Sequence, residues 1–243
     1  MVVPARPASR KAQRPWEPAR QVRIELLDIC SMEVDAIACL GDIENLNSEV
    51  GVLGVIHRAA GPELMEACLE LAKDAEAMVD IKAKRAATLP GFEIAAKSII
   101  ITEIEYTDAP DGEEDDSYLE KFRREGDIAA CYRNALAAAA RMKSVAFPLL
   151  GSGNLGQEVE VVARACAKGL VSWYTGCTGG PVDASDEALD ERATLESVTI
   201  CVYPGGDYYD NIEKLAYEFE QANIAVSLPE KFEAERKAAE GKT

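Results

Sequence analysis

Two stretches of this chain join a β-prone apolar run to a helix-prone run through glycine. One is residues 50–64, VGVLGVIHRAAGPEL, which follows the apolar run Val34–Leu40. The other is residues 147–156, FPLLGSGNLG, which continues the run that starts at Ser144. Glycine lets a backbone approach a ligand closely. A helix start offers unpaired N–H groups and the positive end of a dipole. Two such loops facing one another suit a diphosphate gripped from both sides, and they require strands that end together at one edge of a sheet.

The rest of the chain fits that demand. Val22–Leu27 alternates as a strand does, and Val34–Leu40, Ser98–Thr102, Ser144–Leu150 and Ser197–Tyr203 are short apolar or β-rich runs. Between them, Gly51–Ala60, Pro62–Met78, Ile128–Met142, Glu158–Tyr174 and Asn211–Ala222 read as helices. Pro62, just after Gly61, suits a first helical position. Strands alternating with helices predict an α/β sheet covered on both faces. Residues 1–20 hold four prolines among basic and small residues and read as a flexible basic tail. The body is expected over 21–226, with a charged, partly helical tail over 227–243. The acidic stretch 108–116 and the Gly- and Asp-rich stretch 176–192 read as loops.

Charge narrows the partners. The formal net charge is −17, and the basic tail makes the body more acidic still. Such a body repels a phosphate backbone, so no nucleic acid is expected. It gives no long-range help to a small anion either, so a diphosphate must rely on local N–H groups. No run is apolar enough to span a bilayer, so no membrane partner is expected. The seven cysteines are scattered without a C-x-x-C pair, which suits a reduced, cytoplasmic protein. With one histidine and no ligand cluster, no metal or other cofactor is expected.

Residues 27–29, 34–37, 50–64, 89–92, 131–136 and 147–156 occur in the order and spacing of the macro domain family, which the chain resembles from about Val22 to about Asn223. The resemblance implies a three-layer α/β/α sandwich with a mixed central sheet, and recognition of ADP-ribose or of ADP-ribosylated protein. It implies that Asp28 accepts from the adenine amine and that Ile29 donates its backbone N–H. It places Gly51, Val52 and Gly54 in the first phosphate loop, and Ser152, Gly153, Asn154, Leu155 and Gly156 in the second. It sets Tyr203 at the nucleobase, where an ordinary half-buried tyrosine is the competing reading. Residues 151–156 also spell G-x-G-x-x-G, but a dinucleotide site requires an acidic residue at the end of the next strand about 20 positions on, and here the stretch after the next helix reads as loop.

Catalysis is where the chain departs from the family. De-ADP-ribosylating members carry Asn-Ala-Ala-Asn after the second strand and an aspartate in the first loop. Here the segment is Cys39-Leu-Gly-Asp42 and the loop position is Leu53. Leucine cannot orient water or take a proton. Asp42 can still accept from ribose hydroxyls and is the one catalytic candidate. His57 lies inside a helix and is assigned no chemistry. The expected function is binding of ADP-ribose or a related nucleotide diphosphate without efficient hydrolysis. Two alternatives stand beside it: a mono-ADP-ribosyl or O-acetyl-ADP-ribose hydrolase with non-standard residues, and an interaction module with a degenerate nucleotide site, favoured by Glu49 and Val50 where the family has glycine.

Overall fold

The apolar runs become a seven-stranded sheet in the computed structural model, which describes residues 21–43, 45–46, 50–104, 117–175 and 194–234. The strands are β1 (Gln21–Leu26), β2 (Ala36–Leu40), β3 (Ala86–Pro90), β4 (Ser98–Thr102), β5 (Ser144–Pro148), β6 (Ser197–Val202) and β7 (Val226–Ser227). Their order across the sheet is β3-β4-β2-β5-β6-β1-β7. Every neighbouring pair is parallel except β3–β4. The sheet is therefore mixed.

Both faces are covered, which is why the strands read as nearly continuous apolar runs. Successive side chains alternate between two cores. Ala36, Ala38, Ile100, Val145, Phe147, Val198 and Ile200 join one core, with α4 (Ser117–Ala138), α5 (Val159–Thr175) and α6 (Tyr208–Gln221). Ile37, Cys39, Ile99, Ile101, Ala146 and Cys201 join the other, with α1 (Gly51–Ala60), α2 (Pro62–Leu71) and α3 (Ala75–Lys84). The result is an α/β/α sandwich.

Several bounds differ from expectation for local reasons. The helix expected over 62–78 is two helices, because Asp74 caps a new one, its Oδ1 accepting from Glu76 N at 3.1 Å and Ala77 N at 3.0 Å. α4 begins at Ser117 rather than Ile128 and ends at Ala138. β3 was not expected, since Ala86-Ala-Thr-Leu-Pro90 has little alternation; it is an edge strand, where a proline is tolerated. The chain stays on the body beyond 226: Ser227 pairs with Arg23, and Phe232 is buried against Tyr209. The expected tail 1–20, the acidic loop 108–116, the loop 176–192 and Glu49 lie outside the described residues, as do residues 235–243. Among the described residues, no helix is long and apolar enough to cross a membrane.

Candidate functional site

The site follows from the topology. β2 and β5 are neighbours and point the same way. β2 is followed by α1 on one face of the sheet, and β5 by α5 on the other. A crevice must open where the two connections part, at the C-terminal ends of the strands. A cleft of about 510 Å³ lies there. Its walls come from the ends of β1, β2, β5 and β6, the start of α1 and the loop after β5.

The loop after β5 is fixed from within. Ser152 donates through both N and Oγ to the Leu149 carbonyl, at 3.2 and 2.9 Å. Gly156 N donates to Gly153 O at 2.8 Å and Gln157 N to Gly151 O at 3.1 Å. Gly151 has φ of +100°, and an added Cβ would meet Ile128 at 2.9 Å, so glycine is required. These bonds leave the consecutive amides of Gly153, Asn154 and Leu155 without an acceptor among the described residues. Such a run of N–H groups is an anion cradle.

The start of α1 supplies the facing wall. Val50 precedes it and gives no side-chain cap, so the first amides of the helix have no acceptor among the described residues. Gly54 N donates to Val50 O at 3.2 Å and is already spent. Gly51, at φ of +62°, lies against Asn154, whose Nδ2 would be 2.8 Å from an added Cβ. The two glycine loops therefore meet, as a grip on one diphosphate needs.

Tyr132, a residue that no sequence motif marks as functional, holds this arrangement. Its fully buried hydroxyl donates to Pro148 O at 3.3 Å and accepts from Leu150 N at 3.0 Å. It clamps the point where β5 becomes the loop. Burial holds the phenol well above its usual range, so it stays neutral.

At the far end, Asp28 closes β1 and turns the chain, Oδ1 accepting from Cys30 N at 2.9 Å. It is half-buried beside Ile29, Leu27 and Tyr203 on the cleft wall. Tyr203 is 69% exposed, leaving a ring face open to the cleft mouth. Cys201 lines the floor, and burial raises its thiol to about 12, so it is no nucleophile at neutral pH.

Of the residues singled out in the sequence, Asp28, Ile29, Gly51, Val52, Gly153, Asn154, Leu155 and Tyr203 stand on the walls. Gly54, Ser152 and Gly156 support the loops from behind. Asp42 is not on the walls; it is an exposed residue in a turn bridged to Asn45. Leu53 is 2% exposed and packs in the core. His57 is buried on α1, with Nε2 3.0 Å from Leu46 O, and so anchors the segment before the helix. No group of histidine, cysteine, aspartate and glutamate among the described residues could hold a metal.

Known proteins agree with this architecture. A family model described as the Macro domain matches residues 44–166. The macro domain-containing protein RSc0334 of Ralstonia nicotianae is 34% identical over 140 residues, covering 54% of this chain and 70% of that protein. The O-acetyl-ADP-ribose deacetylase of Salmonella typhimurium is 32% identical over 146 residues, covering 56% of this chain and 72% of that one. A solved structure of the Oceanobacillus iheyensis macrodomain with ADP superposes with a TM-score of 0.55 at 23% identity, covering 82% of this chain and 91% of that one. With two glycine loops meeting over a cleft at the sheet's switch point and a family model spanning half its length, the chain belongs to the macro domain family.

Proposed function

We propose that this protein binds ADP-ribose or a related nucleotide diphosphate, free or attached to a protein, in the cleft between α1 and the loop after β5. The observation that carries this reading is the run of open amides at Gly153, Asn154 and Leu155 facing the uncapped start of α1. The diphosphate rests on those amides, Asp28 accepts from the adenine amine, and Tyr203 lies against the base. Among the described wall residues there is no lysine or arginine, so N–H groups carry the anion. The cysteines of the described residues are free and mostly buried, which suits a reduced, cytoplasmic setting.

A substitution at Gly153 tests this directly. Nothing lies within 4 Å of a Cβ added there, so Gly153→Glu should fold normally. Its carboxylate and bulk oppose the diphosphate, and ADP-ribose binding should be abolished. Undiminished affinity in the folded variant would move the site elsewhere.

Likeness to the Salmonella deacetylase favours hydrolysis as a second reading. Against it, Asp28 is the one carboxylate among the described wall residues, and it stands at the nucleobase end. Leu53 is buried and Asp42 stands off the walls. Little or no ADP-ribose should therefore leave acidic side chains of an auto-modified transferase. Rapid loss of label by the wild type, abolished in Asp42→Ala, would make the protein a hydrolase.

A further inference from the structure

The cleft sets its groups out in order along the sheet. Its floor runs along the strand ends from β1 through β6 and β5 to β2. Asp28 stands at the β1 end, the loop after β5 comes next, and α1, which follows β2, lies beyond it. A nucleotide whose base lies at Asp28 therefore brings its first phosphate to the loop after β5. A second phosphate is needed to reach the start of α1 as well. A side chain that spans those two elements is placed to tell one phosphate from two.

Asn154 spans them. It is exposed on the cleft wall in the loop after β5, and its carboxamide lies against Gly51, the first residue of α1. Its Nδ2, Cγ and Oδ1 would stand 2.8, 3.3 and 3.7 Å from a Cβ added to Gly51. The side chain thus crosses from one loop to the other over a glycine whose bare backbone leaves it room. A carboxamide brings two N–H donors and no net charge. Asn154 is the one side-chain N–H donor among the described wall residues, and it stands beside the open amides of Gly153 and Leu155. A hydrogen bond to an ionised phosphate is roughly twice as strong as one between neutral groups. A run of backbone amides serves any phosphate laid on it, whereas a side chain reaching towards α1 adds to the second phosphate alone.

We propose that Asn154 is a specificity-determining residue whose carboxamide donates to the second phosphate and sets the preference for a nucleoside diphosphate over a monophosphate. This rests on the nucleotide-diphosphate reading above and names the side chain that counts the phosphates. Calorimetry on the full chain with ADP and with AMP tests it. Asn154→Leu keeps the bulk against Gly51 and removes the donors. ADP should then bind about tenfold more weakly, the worth of a hydrogen bond to a charged group, while AMP changes by less than about twofold. Asn154→Asp, which sets a carboxylate of the same shape before the phosphate, should weaken ADP further than the leucine does. Asn154→Ala reads the same ratio of ADP to AMP affinity if the leucine variant does not fold. A ratio unchanged from wild type, whether both affinities hold or both fall together, would overturn the proposal while leaving the nucleotide reading intact. So would undiminished ADP binding in Asn154→Asp, or equal binding of ADP and AMP by the wild type. Silence from both ligands in the wild type would overturn the nucleotide reading as well.

Discussion

Tyr132 shows how one side chain can hold a ligand loop it never touches from the ligand's side. Its hydroxyl satisfies a buried amide and a carbonyl on either side of the turn into the loop. Tyr132→Phe leaves Leu150 N–H buried without its acceptor, at a cost of about 1–3 kcal/mol. Denaturant unfolding of that variant should show the loss, together with weaker ADP-ribose binding. Unchanged stability would mean that water replaces the phenol and that the loop is held otherwise. The sequence could not reveal this role, because it depends on α4 packing under β5, a tertiary fact. The glycines were legible: a run ending in Gly151 and Gly153 before a helix signals a loop that needs a bare backbone. Leu53 was legible only in part. Its place in the family pattern marks a missing acid, but that it fills the core rather than the cleft is known from packing alone.

At the scale of elements, legibility followed apolar pattern. β4 and α1 have the bounds expected, since each is a strong run with clear stops. β3 and the two-residue β7 escaped notice because edge strands need little apolar sequence. The break between α2 and α3 rests on the Asp74 cap. At the end of the sheet opposite the cleft, Asp35 ties three elements together. Its carboxylate takes Lys97 Nζ at 2.6 Å and the amides of Lys143 and Ser144 at 2.7 and 3.2 Å. The Lys97 hydrogen bond, helped by those amides, holds its pKa below the ordinary 3.8. A depressed carboxyl stabilises the fold above its unfolded pKa and loses that contribution as pH falls through the folded one. Stability should therefore drop as pH falls below about 4, more steeply in wild type than in Asp35→Asn. Parallel stability curves for the two proteins below that pH would show that the carboxylate does not tie the elements as described.

For the whole molecule, the central tension is an anionic protein proposed to bind an anion. A net charge of −17 works against a diphosphate at long range. The cleft answers at short range, with backbone dipoles that carry no net charge and are screened little by salt. Fold and site location follow from one arrangement: parallel β2 and β5, with their helices on opposite faces. The sequence signalled that arrangement through alternating runs and two glycine loops. Which of the described side chains share the cleft walls emerges only from the assembled fold. The most direct test is calorimetric titration of the full chain with ADP-ribose and, in parallel, with AMP. ADP-ribose should bind with a Kd of about 1–10 μM, near −7 to −8 kcal/mol, and AMP, lacking the second phosphate, at least about tenfold more weakly. Equal affinity for the two, or no heat from ADP-ribose at millimolar concentration, would contradict a site built on those amides.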